Sequence, residues 1–202
     1  MASTPSVQFN PVVTTSPQNT FLVDTQGYMA GLCLDDPISR MWLRSGPVSS
    51  ANTQPLWGGL PVELEVPALN TSHVGLNVLL STTNATITGF TVFDQAYNGV
   101  IAPGSTAPQY GAGMSIAFYD LGCRARLAVP VSSDLASAAE GGSIIQQVSW
   151  NFTTNELDVY SSTTGALNVK ILYINSNSQT ITYDSSTGTL NWTAGDVAVI
   201  QL

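Results

Sequence analysis

Charge is what this sequence has least of. Only 9% of its 202 residues are Asp, Glu, Lys or Arg, against roughly 25% in an ordinary soluble domain. The formal net charge is -8, and only five residues are basic: Arg40, Arg44, Arg124, Arg126 and Lys170. Nucleic-acid binding needs clustered Lys or Arg to displace counterions, so we expect no nucleic-acid partner. Ser, Thr, Asn and Gln must cover the surface instead, which suits a protein packed against other protein chains or one working outside the cytosol.

Histidine and cysteine are also scarce. The single histidine, His73, lies in the polar stretch Asn-Thr-Ser-His, which is typical of a surface turn rather than a catalytic base. The two cysteines, Cys33 and Cys123, lie far apart and match no metal-ligand spacing. We interpret them as thiols packed like small hydrophobic residues, with a disulfide as the alternative in an oxidising compartment. The sequence therefore predicts no metal and no cofactor.

Long apolar runs are missing too. No stretch approaches the roughly 20 apolar residues of a membrane span, and Met1–Thr20 has neither the basic start nor the apolar run of a signal peptide. We therefore expect neither a membrane partner nor a signal peptide. The four Asn-x-Ser/Thr sequons are expected by chance in so Asn- and Thr-rich a chain, and begin at Asn70, Asn84, Asn151 and Asn191.

Short alternating apolar runs dominate the last third of the chain. They predict six strands: Ile144–Phe152, Glu156–Tyr160, Asn168–Asn175, Gln179–Tyr183, Thr189–Trp192 and Val197–Leu202. Clusters of Ser, Asn and Gly predict turns at Ser161–Gly165, Asn175–Ser178 and Asp184–Gly188. Connections this short leave no room for crossover helices, so the sheet is predicted to be antiparallel.

Upstream of residue 144 the same patterns predict five further strands and little helix. The strands are Leu60–Val66, Val74–Ser81, Ala85–Asp94 with a bulge at Gly89, Met114–Asp120 and Ala125–Val131. Asp35–Arg44 is predicted to form one or two helical turns, with Asp36 as the N-cap and Pro37 in the first turn. Ser132–Gly142 is either a short helix ended by glycine or a loop.

These elements predict an all-β protein, an antiparallel, jelly-roll-like β-sandwich. Residues 1–20 form an extended N-terminal arm interrupted by Pro5, Pro11 and Pro17. Residues 21–202 form one sandwich domain, irregular to about residue 60.

Paired carboxylates are the best enzymatic candidates. Two pairs, Glu63 with Glu65 and Asp35 with Asp36, are candidates for the two carboxylates of a glycosidase. Residues i and i+2 on a strand share a face, so Glu63 and Glu65 would lie roughly 6–7 Å apart, a spacing that two catalytic carboxylates can have. The favoured interpretation is a solvated strand face that resists edge pairing. We expect no enzymatic activity and assign no catalytic residue.

Two of the four tryptophans lie in the irregular N-terminal part. Trp150 and Trp192 fall in alternating strands and are predicted to be core. Trp42 and Trp57 either pack that N-terminal part onto the sandwich or anchor a protein interface, where tryptophan is enriched. A sugar-stacking platform is a further alternative.

Four stretches, taken in order, resemble a known family. They are Pro55–Glu63, Ile87–Asn98, Gly113–Gly122 and Gln146–Phe152. Together they resemble the capsid decoration or cement proteins of short-tailed and related tailed bacteriophages, over about Val7 to Leu202. The resemblance implies a jelly-roll protein that binds outside the assembled shell and clamps neighbouring capsid subunits against internal DNA pressure.

The resemblance implies the major capsid protein as partner, self-association as a dimer or trimer, synthesis in the host cytoplasm and a place on the virion exterior. The candidate interface comprises the arm and the aromatic-glycine corner Pro55–Gly59, with Phe9, Pro11, Trp42, Pro55 and Trp57. Alternatives are another virion component (head fibre, neck or tail protein), a carbohydrate-binding module or adhesin, and a glycoside hydrolase using Glu63 and Glu65.

Overall fold

The fold is all-β and antiparallel, as predicted, with one short α-helix. The computed structural model describes residues 13–14, 27–34, 39–67, 75–94, 99–139, 141–142, 147–162 and 165–202. The strands are β1 (Val13–Thr14), β2 (Gly27–Tyr28), β3 (Arg44–Pro47), β4 (Pro61–Glu65), β5 (Asn77–Leu80), β6 (Gly89–Val92), β7 (Ser115–Asp120), β8 (Arg126–Pro130), β9 (Val148–Asn151), β10 (Glu156–Val159), β11 (Lys170–Asp184) and β12 (Thr189–Gln201). A 3₁₀ helix spans Ser39–Trp42, and α1 spans Ser133–Ala139.

The larger sheet has the order β3-β7-β6-β4-β5 and curls until its two edges meet. Val48, just after β3, bridges Val78 of β5, and the Ser49 amide donates to the Val78 carbonyl at 2.9 Å. A Cβ added to Gly46 would lie 2.5 Å from the Leu76 carbonyl oxygen, so glycine is needed where the edges approach each other. The edge strands of this sheet are therefore paired at this point.

The smaller sheet has the order β11-β12-β8, and the segment 27–34 covers both of its edges. The Ala30 amide donates to the Gln179 carbonyl on β11 at 2.9 Å, and the Gly31 amide donates to the Ala128 carbonyl on β8 at 2.7 Å. One short stretch of chain thus satisfies backbone groups on opposite edges of the same sheet.

The two sheets pack around one core, which confirms the sandwich; the jelly-roll connectivity is not established by these strand orders. Side chains from β4, β6, β7, β8 and β12 all belong to one buried cluster. Three pairs of aromatic rings are in contact in the core. Their ring centres lie 5.9 Å apart for Trp57–Tyr183, 6.0 Å for Phe93–Trp192 and 5.5 Å for Phe90–Trp150. Trp150 is buried, as predicted, whereas Trp192 is only partly buried.

The side chain of Asn84, in the loop between β5 and β6, forms hydrogen bonds to the β9–β10 hairpin. The Trp150 amide donates to Asn84 Oδ1 at 2.7 Å, and Asn84 Nδ2 donates back to the Trp150 carbonyl at 3.3 Å. Asn84 is only 6% exposed. Its amide group therefore substitutes for a missing strand partner on β9, and the acceptor asparagine of this sequon is buried.

The predicted turn at Asn175–Ser178 is wrong. The four strands predicted between residues 168 and 202 are two long ones, β11 and β12, and Asn175–Ser178 is a bulge within β11. The Asn177 amide donates to Asn175 Oδ1 at 2.8 Å, and Ser178 Oγ donates to the Asn175 carbonyl at 3.1 Å. This is turn chemistry, but it inserts one extra residue into β11 relative to β12 and does not reverse the chain.

The structure also differs from the predictions at Gly89, where a bulge was predicted, and at Val66, the predicted end of a strand. Gly89 pairs in register with Asp120 and is no bulge; a Cβ there would collide with the Tyr119 carbonyl on β7. β4 ends at Glu65, one residue before the predicted end of this strand, and Val66 is 78% exposed.

The helix predictions have mixed outcomes. Of the two alternatives for Ser132–Gly142, the structure has the short helix, α1, and Gly141 follows it in a left-handed conformation. In the segment Asp35–Arg44, where one or two helical turns were predicted, the described residues form one 3₁₀ turn at Ser39–Trp42, and Arg44 is the first residue of β3. The predicted cap Asp36 and Pro37 lie outside the described residues, as does the N-terminal arm apart from β1, which pairs with β2.

The Asn84 amide is expected to carry much of the attachment of the β9–β10 hairpin. Asn84→Ala leaves the Trp150 amide and carbonyl without these bonds and is expected to lower the free energy of unfolding by about 2–4 kcal/mol in urea denaturation. The matched control is Asn168→Ala, at an exposed asparagine, which should change it by less than about 0.5 kcal/mol. Equal effects of the two variants would contradict this role.

The tip of the β11–β12 hairpin is predicted to respond to acid. Hydrogen bonds from the Ser186 and Thr187 hydroxyls and the Ser186 amide lower the pKa of Asp184 from 3.8 to about 2. Because the folded-state pKa is depressed, the stabilisation is complete above the unfolded-state value and is lost as the pH falls through about 2. The Ser186 amide resonance, followed by NMR, should titrate with a midpoint near that lower value.

Asp184→Asn is the control for this titration, because it keeps an acceptor oxygen but cannot ionise. Its Ser186 amide resonance should not shift over the same acid range. A wild-type midpoint at or above the ordinary aspartate value would show that the carboxylate does not hold the turn together.

Candidate interaction surface

The part of the chain that the structure describes contains no group of three or more His, Cys, Asp or Glu side chains placed to hold a metal ion. Of the residues weighed for catalysis, His73, Asp35 and Asp36 lie outside the described residues. Glu63 is half-buried on β4, and exposed Glu65 accepts one long hydrogen bond, at 3.5 Å, from Asn77 Nδ2. Neither glutamate lines the two clefts described below.

Both cysteines are free thiols and partly buried. Cys33 Sγ lies 3.7 Å from the Tyr119 hydroxyl, within hydrogen-bonding range for sulfur. Burial raises the pKa of the Cys123 thiol, and the nearby Asp120 carboxylate adds to the increase. A thiol with a raised pKa stays protonated at neutral pH, which makes Cys123 a poor nucleophile.

The candidate-interface prediction for the Trp57 side chain is wrong. Trp57 is 2% exposed, because its ring packs against Tyr183 of β11. Its carbonyl oxygen accepts a 2.6 Å hydrogen bond from Thr91 Oγ1, which fixes the corner from inside. Pro55 beside it is half-buried. The corner is therefore an internal junction between the two sheets.

Trp42 is the predicted interface residue that the structure places at the surface. It is 62% exposed, and its neighbour Met41 is 82% exposed. Both stand on the 3₁₀ helix that leads directly into β3. The other two predicted interface residues, Phe9 and Pro11, lie outside the described residues.

The chain just after Trp42 is held firmly. Arg44 forms an ion pair with Asp120 at 2.7 Å, and its guanidinium lies 5.4 Å from the centre of the Phe118 ring. Both contacts tie the start of β3 to β7. We infer that Met41 and Trp42 stand out from an anchored base, so little ordering entropy would be lost when a partner covers them.

A second apolar surface is a groove of about 480 Å³ between segment 27–34, the loop after residue 99 and β12. Phe93, Tyr110 and Trp192 form part of its wall, and Ile101 stands 63% exposed at the rim. Burial raises the pKa of Tyr110, and the Asp94 carboxylate adds to the increase, so its hydroxyl stays protonated at neutral pH. The groove offers mainly aromatic and aliphatic contacts rather than reactive groups.

No helix in the described ranges is both long and apolar enough to cross a membrane. Comparison of the chain with family models, with curated proteins and with solved structures found no match.

Proposed function

We propose that this chain is a structural protein of a bacteriophage virion that binds the outside of the capsid and stabilises the shell of the major capsid protein. The structural observation that carries the proposal is the exposed Met41–Trp42 pair on an anchored turn. The resemblance of four ordered stretches to phage decoration proteins supplies the kind of partner. The proposal includes self-association of the chain on the shell.

The composition supports a role in assembly. A surface with few charges loses little hydration free energy when another protein covers it. Large exposed side chains such as Trp42 and Met41 gain most from being covered, and tryptophan is among the commonest residues that dominate binding energy. A contact of even a few kcal/mol, repeated at each symmetry-related site, makes a shell much harder to open.

A carbohydrate-binding module or adhesin is the second candidate, and the exposure of Trp42 favours it. A platform built by Trp42 and Trp57 together is not available, because Trp57 is buried in the junction between the sheets. Sugar stacking would therefore rest on Trp42 without that partner. A head-fibre, neck or tail protein fits the same surface, and the number of copies bound per particle separates it from a cement.

Binding to capsids tests the proposal directly. Purified protein is mixed with capsids of the parent phage that lack it, the particles are sedimented, and bound copies are counted. Saturation at a simple fraction or multiple of the capsid-subunit number is the expected result. No binding, or about a dozen copies or fewer as at the vertices of an icosahedral shell, would refute a cement role.

Trp42→Ala is expected to weaken capsid binding about 30-fold or more, because loss of a dominant interface tryptophan costs about 2 kcal/mol or more. The matched control is Val66→Ala, which removes another highly exposed apolar side chain, away from the 3₁₀ turn. Binding isotherms from sedimentation measure both. If the two variants bind capsids with equal affinity, the 3₁₀ turn is not part of the interface.

A further inference from the structure

One end of the smaller sheet carries a basic cleft in an otherwise acidic protein. Its volume is about 710 Å³. Two cationic side chains, Arg124 and Lys170, line it together with the side-chain amides of Gln147, Asn168 and Gln201. None of the described lining residues has an acidic side chain, and the carboxylate present at the cleft is the main-chain terminal group of Leu202.

Positive charge is concentrated here by strand register. Lys170 on β11 lies opposite Gln201 on β12, and Gln201 lies opposite Arg126 on β8. Residues paired across strands share a face of the sheet, so Lys170 and Arg126 lie on the same face. Arg124 lies two residues before Arg126, so three of the five basic residues of the whole chain lie at this end, and two of them, Arg124 and Lys170, line the cleft.

No side chain in the described part of the chain neutralises the two cations that line the cleft. In the described part of the chain, Arg44 and Asp120 form the ion pair, and neither Arg124 nor Lys170 is bonded through its side chain. Cations held this way bind an incoming carboxylate without first breaking an internal ion pair. The cleft is therefore ready to receive an anion.

Arg124 is held in a backbone conformation that residues other than glycine seldom adopt. Its φ is 65°. Its amide donates to the Leu202 main-chain oxygen at 3.0 Å, and its carbonyl accepts from Gln201 Nε2 at 3.3 Å. Strained residues persist where the surrounding structure enforces them, and they cluster at binding sites. The C-terminal end of β12 thus holds Arg124 at the cleft.

We propose that this cleft binds an acidic segment of a protein partner, through the carboxylate of one or two Asp or Glu side chains. Arg124 and Lys170 receive the carboxylate, while the amides of Gln147, Asn168 and Gln201 each offer the donor and the acceptor that a peptide group requires. The net charge of -8 repels an extended polyanion, so the favoured ligand carries few charges.

This inference rests on the proposed function only for the identity of the partner as a virion protein. The contact chemistry can be tested without capsids. The full chain, labelled with ¹⁵N, is titrated with a capped pentapeptide carrying two glutamates between glycines, and its amide resonances are followed. Saturable shifts at Arg124, Lys170 and Gln201 are expected, and they should weaken as sodium chloride is raised.

Three variants locate the binding. Lys170→Gln and Arg124→Gly should each raise the dissociation constant about tenfold, because each removes a charge-assisted contact. Arg124→Gly also suits the left-handed backbone, so it should melt no lower than wild type. Arg44→Gln changes the net charge equally but lies outside the cleft, and should leave the affinity within about twofold.

The controls separate the peptide from other anions. The same pentapeptide with glutamine in place of glutamate should give no saturable shift, and a trimer of glucuronate or inorganic phosphate should bind more weakly than the acidic peptide. Equal binding of the glutamine peptide, shifts away from the cleft, equal loss in Arg44→Gln, or tighter binding of the glucuronate trimer would each overturn the proposal. If the protein binds capsids but the acidic peptide gives no saturable shifts, the proposal for the cleft is rejected and the proposed capsid role is not affected.

Discussion

The hydrogen bonds that close the sheet edges are the constraint on which the rest of this structure depends. Many β proteins protect a free edge with charged side chains, especially lysine, but this chain has a single lysine. It covers its edges with its own backbone instead. Segment 27–34 covers both edges of the smaller sheet, and the bridge between Val48 and Val78 joins the two edges of the larger one.

Closing the edges decides which aromatic residues remain available for binding. Gly31, in the covering segment, packs directly on Gly58, and a Cβ at Gly31 would collide with that backbone. Because Gly58 lies against Gly31, the aromatic-glycine corner lies inside the protein, and the Trp57 ring packs on Tyr183. Trp42 precedes the paired part of β3 and is not drawn in. The candidate contact surface therefore consists of the aromatic and apolar side chains that stay exposed after the sheet edges are paired, Trp42 and Met41.

Period-2 patterns predicted the fold class and most strands, because alternation records which side of a strand is buried. They could not distinguish the bulge at Asn175–Ser178 from a turn, since the Asx and Ser hydrogen bonds are the same in both. Only the uninterrupted course of β12 opposite, through Gly195, decides that β11 continues. Bulge and turn therefore differ by a long-range contact that no local window contains.

The candidate sites were less predictable than the fold. Tryptophan alone does not indicate whether a corner faces solvent, so Trp42 and Trp57 looked equivalent in the sequence. The basic cleft had no local signal, because the register of three strands aligns Lys170 with Arg126, and Arg124 lies two residues before Arg126. The small number of basic residues nevertheless makes their positions informative. Two of the five line one cleft, which indicates a binding surface more strongly than it would in a protein with many cations.

The burial of Asn84 has a consequence for how this protein can be made. Asn84, Ala85 and Thr86 form an acceptor sequence for N-linked glycans, and oligosaccharide is transferred in secretory compartments to chains that expose such a sequence. In the folded protein that side chain is bonded to Trp150 within the interior. A glycan attached before folding would keep the β9–β10 hairpin from docking. Recombinant production through a eukaryotic secretory pathway would therefore yield misassembled chains, whereas bacterial expression leaves this asparagine unmodified.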